Sequence, residues 1–134
     1  MSRTDILSLF DQHRILPTPQ RIEVAEILLA RPQHLSAEQI IDRLREAGSG
    51  VSKATVYNTL NLFGARGLVK EVMVDPVRKF YDSTTHPHHH FYNVDSGELS
   101  DIPDQLVGFC ELPDPPEGTE AESVELLIRV RDTA

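Results

Sequence analysis

The apolar residues of this 134-residue chain change their period at Leu68. Upstream they recur every three or four positions, the spacing of one helix face. Downstream they alternate, the spacing of a strand covered on one side. The upstream part divides into four helical patterns. Thr4-Asp5 opens the first, with Ile6, Leu9, Phe10 and His13 in register and His13 on the helix surface. Pro17-Thr18-Pro19 interrupts the chain; Thr18 suits an N-cap and Pro19 the first helical position. Ile22, Ala25, Leu28 and Leu29 form the second stripe, which Arg31-Pro32 ends. Ser36 and Gln39 make a capping box for a third helix, with Ile40, Ile41, Leu44 and Ala47 inward and Gly48 as its stop. Ser52 caps the fourth, from Lys53 to about Phe63, with Val56, Leu60 and Phe63 inward and Gly64 and Gly67 closing it. Leu68 to Val74, an Asp75-Pro76 turn, and Val77 to Tyr81 then read as a β-hairpin. Helices followed by a hairpin, with two helices joined by a tight glycine-containing turn, is the order of a winged helix-turn-helix. The expected class is α+β, with that unit over residues 1–82.

Charge separates the rest. Residues 1–82 carry 11 Lys+Arg against 10 Asp+Glu, whereas 83–134 carry 2 against 11. The net charge of −8 therefore does not speak against nucleic acid, because the near-neutral part can still present a basic face. A single cysteine, Cys110, excludes an intramolecular disulfide and a multi-cysteine zinc site within one chain, and reads as a small buried hydrophobe. No apolar run is long enough for a membrane span, and the first residues lack a signal-peptide pattern, so the expected location is the cytoplasm with no membrane partner.

Four of the six histidines fall in His86-Pro87-His88-His89-His90, between Asp82 and Asp101. Neutral imidazole with carboxylate suits zinc, iron or manganese. In a strand, His88, His90 and Tyr92 share a face. A two-residue Ser96-Gly97 loop sets Tyr92 opposite Asp101 and puts Asp101 on the face of His90. The plain alternative is a solvated polar loop. Pro103 to Glu111 is expected to hold a short helix, and Ser123 to Arg131 a last strand. Three short strands cannot bury both faces of a sheet alone, and an exposed edge invites a second copy, which implies a homodimer.

On the fourth helix, Lys53, Thr55, Tyr57, Asn58 and Asn61 avoid the apolar stripe. Lys and Thr reach phosphate, Tyr meets a thymine methyl, and Asn pairs with adenine. Arg14, Arg21, Arg66 and the wing pair Arg78-Lys79 would add phosphate contacts. The same face on a protein-interaction module is the alternative.

Thr18-Pro19-Gln20-Arg21, His34-Leu35-Ser36-Ala37-Glu38 and Ser52-Lys53-Ala54-Thr55-Val56-Tyr57-Asn58-Thr59-Leu60 resemble the ferric uptake regulator (Fur) family, in matching order over about residues 14–102. The resemblance implies an N-terminal winged helix, a small C-terminal α/β dimerisation domain over 83–134, and a metal site between them that controls operator binding. Matched residue by residue, that site is His34, Asp82, His88, His90 and Asp101. His86 and His89 match part of a second site, for metal or haem, whose later ligands have no counterpart. The implied DNA-contacting set is Arg14, Arg21, Ser52, Lys53, Thr55, Tyr57, Asn58 and Arg78. The chain departs from the family in four ways. Asn93 and Ser96 stand where most members carry a Cys-x-x-Cys pair, and the second pair is missing, so no structural zinc is expected. A histidine expected in the last strand is also missing. The family's minor-groove basic residue aligns with Leu16, leaving Arg14 as its stand-in, and Asn58 occupies a position commonly held by Arg. These features are closest to the branch of iron response regulators and peroxide sensors.

Three functions follow as expectations. The first is a metal-responsive repressor, with Fe²⁺ or Mn²⁺ as effector and Zn²⁺ binding in vitro, acting as a homodimer on a palindromic AT-rich DNA operator. The second is a haem or peroxide sensor of the same fold, without a Cys-Pro haem signature. The third, from another class, is a small metal-dependent hydrolase, which the use of every nearby carboxylate as a ligand disfavours.

Overall fold

The structure, a computed structural model, describes residues 1–108 and 111–134. The expectation for Cys110 lies outside the described residues. The chain forms two compact units, Met1–Thr85 and His86–Ala134.

The first unit is the helical one. Its α1 spans Arg3–Gln12, α2 Pro19–Leu28, α3 Ala37–Glu46 and α4 Lys53–Ala65. Each begins where a hydroxyl side chain can take an orphan backbone N–H: Ser2, Thr18, Ser36 and Ser52 accept from Asp5, Arg21, Gln39 and Thr55. Thr18, Ser36 and Ser52 are the expected caps. The first helix instead starts at Arg3, one residue ahead of Thr4-Asp5, because Asp5 closes a capping box back to Ser2. One inward assignment and one helix end change as well. Ala47 is the exposed C-cap of α3, one residue beyond its last helical turn, and Gly64 lies inside α4. His13 is the C-cap of α1 and is half-buried, with Nδ1 3.0 Å from the Arg66 carbonyl oxygen. Gly67, at φ +75°, supplies the left-handed residue that lets the chain leave α4.

The apolar stripes meet in one core. Ile6, Phe10, Val24, Ala25, Leu28, Ile40, Val56, Leu60 and Phe63 are all fully buried. Phe10 and Phe63 sit at the centre with ring centroids 5.5 Å apart. A three-stranded antiparallel sheet flanks the helices: β1 His34–Ser36, β2 Lys70–Asp75 and β3 Arg78–Asp82, in the order β1-β3-β2. The β2–β3 hairpin is the wing. Asp75 makes its turn by accepting from the backbone N–H groups of Val77 and Arg78. His34 lies on β1, opposite Asp82 and just ahead of α3.

The second unit is a three-stranded sheet, β4 His89–Asn93, β5 Leu99–Ile102 and β6 Leu127–Val130, in the order β5-β4-β6. A 3-10 turn at Asp104–Leu106 takes the place of the expected short helix. The β4–β5 hairpin has a different register from the expected one. Tyr92 faces Leu99 and His90 faces Asp101, because the loop is longer than Ser96-Gly97. Asn93 causes this. Its Oδ1 accepts from the backbone N–H groups of Asp95 and Ser96, and its N–H bonds to the Glu98 carbonyl. The slip is by two residues, so each side chain keeps its face. Strand β6 runs parallel to β4, Leu127 beside His90 and Val130 beside Asn93. The structure is an α+β fold with an N-terminal winged helix-turn-helix.

Candidate functional site

In the second unit the hairpin brings two imidazoles to one carboxylate. His90 and Asp101 are cross-strand partners on β4 and β5, and His88 is on the same face two residues before His90. The Asp101 Oδ1 lies 3.3 Å from Nε2 of His88 and 3.3 Å from Nε2 of His90. The two rings are 4.3 Å apart, centroid to centroid. His88 and His90 are buried at 6 % and 3 % exposure, whereas the Asp101 side chain is 61 % exposed. The cluster is thus closed on the imidazole side and open on the carboxylate side.

The tautomer of His88 follows from its neighbour. Its Nδ1 lies 2.8 Å from the His86 carbonyl oxygen, which can only accept, so Nδ1 carries the proton. In the neutral ring, Nε2 then presents its lone pair on the side of Asp101. That is the usual outer-sphere device for orienting a metal-binding histidine. One carboxylate oxygen within 3.3 Å of two ring nitrogens is an arrangement that a shared cation satisfies. Each of His88, His90 and Asp101 offers a ligand atom within 4.8 Å of the others. The donor set of nitrogen and hard oxygen fits Mn, Fe and Zn.

The other expected ligands, His86, His89, Asp82 and His34, each have their own local setting. His89 points to the opposite face of β4, and its Nδ1 accepts from the Leu126 backbone N–H at 2.8 Å, tying the entrance of β6 to β4. His86 gives its carbonyl to His88, and neither His86 nor His89 belongs to the gathered group. In the first unit, Asp82 closes β3 at 2 % exposure, with Oδ1 accepting from the Thr84 N–H. His34 and Lys70 flank it on the neighbouring strands. Burial lowers the Lys70 pKa, and the Asp82 charge opposes that fall. Sequence reasoning missed Lys70. Its only signal was its place at the start of an alternating strand.

The other face of interest is α4 of the first unit. Lys53, Tyr57, Asn58 and Asn61 are exposed on it, Thr55 is half-buried, and Ser52 serves as the cap. Thr55 and Asn58 share a polar recess of about 240 Å³ with Thr18, Gln20 and Arg21 from the start of α2. Arg21 also donates to the Leu16 carbonyl at 2.7 Å. Exposed Arg14 adopts a left-handed backbone, φ 60°, at the exit of α1. Arg78 lies on the wing, 3.9 Å from Asp75. Sequence reasoning also missed Glu38, whose carboxylate holds the Tyr57 hydroxyl.

A winged helix ahead of a sheet carrying an imidazole–carboxylate cluster defines a class of small α+β proteins, and the comparisons identify the family. The model of the ferric uptake regulator family matches residues 3–124, and the chain belongs to that family. Among its relatives, the peroxide-responsive repressor PerR of Staphylococcus saprophyticus is 33% identical over 85 residues, 63% of this chain and 57% of that protein. The ferric uptake regulation protein of Vibrio anguillarum is 32% identical over 92 residues, 67% of this chain and 62% of that protein. The chain therefore matches somewhat over half the length of these curated relatives. The structure of the ferric uptake regulator from Pseudomonas aeruginosa with manganese is 27% identical, covers 96% of this chain and 98% of that one, and superposes with a TM-score of 0.71. The Vibrio cholerae ferric uptake regulator, at 23% identity and a TM-score of 0.75, covering 93% of this chain and 98% of that one, shares the fold. No helix among the described residues is long and apolar enough to cross a membrane.

Proposed function

We propose that this chain is a metal-responsive, DNA-binding transcriptional repressor that works as a homodimer in the cytoplasm. The observation that carries the reading is the pair of buried imidazoles converging on Asp101, in a chain of the ferric uptake regulator family. His88, His90 and Asp101 would hold a divalent cation, Fe²⁺ or Mn²⁺, with Zn²⁺ able to substitute. Asp82 and His34 complete the set in this reading. Their pairing across β1 and β3 supports it, since it sets an imidazole and a buried carboxylate on directly opposed positions. The residues that hold the cation would favour the DNA-competent arrangement only through tighter binding in that arrangement. The exposed residues of α4 would read the major groove of a palindromic, AT-rich operator, with Arg14, Arg21 and Arg78 on phosphates. Among the described residues β5 and β6 are the outer strands of the sheet, which is consistent with pairing to a second copy. The same residues used as a hydrolase would leave no carboxylate over as a base.

Calorimetric titration with Mn²⁺ and Zn²⁺ tests the site. A His88→Ala/His90→Ala variant is expected to lose affinity by more than the ~10–100-fold typical of an outer-sphere change. Ligating imidazoles must be neutral, so wild-type affinity is expected to weaken as pH falls toward ~6. Undiminished affinity in the variant would refute the assignment. Haem is the competing ligand for the same imidazoles, and a Soret band on haem titration that disappears in the variant would replace the metal reading.

A further inference from the structure

Glu38, on the first turn of α3, accepts a hydrogen bond from the Tyr57 phenol at 2.6 Å, linking α3 to the outward face of α4. Tyr57 is 41% exposed. An exposed tyrosine normally keeps its rotamer freedom; here a short, charge-assisted O–H···O⁻ bond restricts it. A phenol keeps its proton at neutral pH in any case, and Glu38 raises the Tyr57 pKa further, first through this bond. A phenol has one hydrogen. With that hydrogen given to Glu38, the oxygen offers only lone pairs to any further partner.

We propose that Glu38 is a positioning residue for base recognition, which presets Tyr57 to accept a hydrogen bond from an exocyclic base amine and prevents it from donating. The proposal rests on the DNA-binding reading of α4. In the major groove the donors are adenine N6 and cytosine N4, whereas guanine O6 and N7, adenine N7 and thymine O4 only accept. Phosphate oxygens also only accept. The preset phenol therefore suits a base amine and is poorly matched to the backbone, while its ring carbons stay available for a thymine methyl. A carboxylate close to DNA weakens attraction to phosphate for every sequence alike, so Glu38 trades affinity for discrimination.

Selection from a duplex pool with a randomised core tests this, using the full chain loaded with Mn²⁺. Wild type is compared with Tyr57→Phe, Glu38→Ala, Glu38→Gln and the Glu38→Ala/Tyr57→Phe double variant. The base pair at which Tyr57→Phe loses preference marks the contact. Glu38→Ala is expected to lose about three- to tenfold discrimination at that same base pair, and the double variant no more. Glu38→Gln, whose amide carbonyl still accepts from the phenol, is expected to retain most of it. Wild-type protein then supplies a readout independent of variant folding. Deleting the exocyclic amine at that base pair should cost it a similar factor, and replacing the purine N7 by carbon should cost nothing. The proposal is overturned if Tyr57→Phe changes no position. It is equally overturned if Glu38→Ala shifts all duplexes equally without a positional change, or if N7 rather than the amine is the sensitive atom. A wild-type protein that enriches no sequence overturns the DNA-binding reading itself, and this proposal with it.

Discussion

The two units reach stability by different means. Met1–Thr85 buries an unbroken apolar core between capped helices, with nine side chains of its centre fully withdrawn from water. His86–Ala134 has far fewer residues than the ~70–80 at which a lone core becomes comfortable. Among its described residues the buried hydrophobics are Tyr92, Leu99 and Ile102, and the buried polar groups are His88 and His90. The first unit fills its interior mostly with apolar packing, with Asp82 and Thr59 as its buried polar groups, and the second gives part of its small interior to two imidazoles. Charge divides the same way: 11 basic residues against 10 acidic up to Asp82, then 2 against 11. A unit with little core and much negative charge gains most from a cation and from a second sheet.

Truncation at the centre of the helical unit gives the largest expected effect. Phe63→Ala, which removes the ring packed on Phe10, should cost about 3–5 kcal/mol in urea unfolding. A much smaller loss would mean that the first unit lacks the packed core described here. A polar tether in the sheet unit should matter less. Asn93 donates from its side-chain amide to Asp132 at 2.9 Å, besides holding the hairpin turn, and the Asp132 N–H bonds to Asp95. Asn93→Ala should cost about 1–2 kcal/mol and speed hydrogen exchange at Val94, whose N–H bonds to the Val130 carbonyl. Unchanged exchange there would show that apolar packing, not this tether, holds β6. The smallest effect concerns Tyr57. Its pKa is raised above the ordinary 10.0 by the Glu38 bond. The stability this bond contributes is complete below pH ~10 and is lost as pH rises through the raised value. Ultraviolet titration should show one tyrosine moving back down in Glu38→Ala, and no movement would deny the bond.

Much of this was legible in the sequence wherever the signal was local. Thr18-Pro19, the Ser36–Gln39 box and Ser52 marked three helix starts because capping chemistry depends on residues three apart. Alternation alone put His90 and Asp101 on one face, and that survived a two-residue error in register. What escaped depends on distant partners. Strand β1 is three residues long, too short for a period, and exists because β3 supplies its hydrogen bonds. The parallel β4–β6 pairing comes from contacts across more than thirty positions. The hairpin register turned on one side chain, Asn93, closing a longer loop. Glu38 and Tyr57 were each visible in the family motifs, but their bond needs the angle between α3 and α4.

If His88, His90 and Asp101, with Asp82 and His34, couple a bound cation to DNA binding, removing the cation must weaken the complex. Fluorescence anisotropy on a duplex selected by the Mn²⁺-loaded protein measures that coupling directly, with Mn²⁺ or with chelator. Wild type is expected to bind at least about fivefold more tightly with Mn²⁺, and His88→Ala/His90→Ala equally under both conditions. A wild-type protein that binds the duplex equally well in chelator, while still binding Mn²⁺, would contradict it.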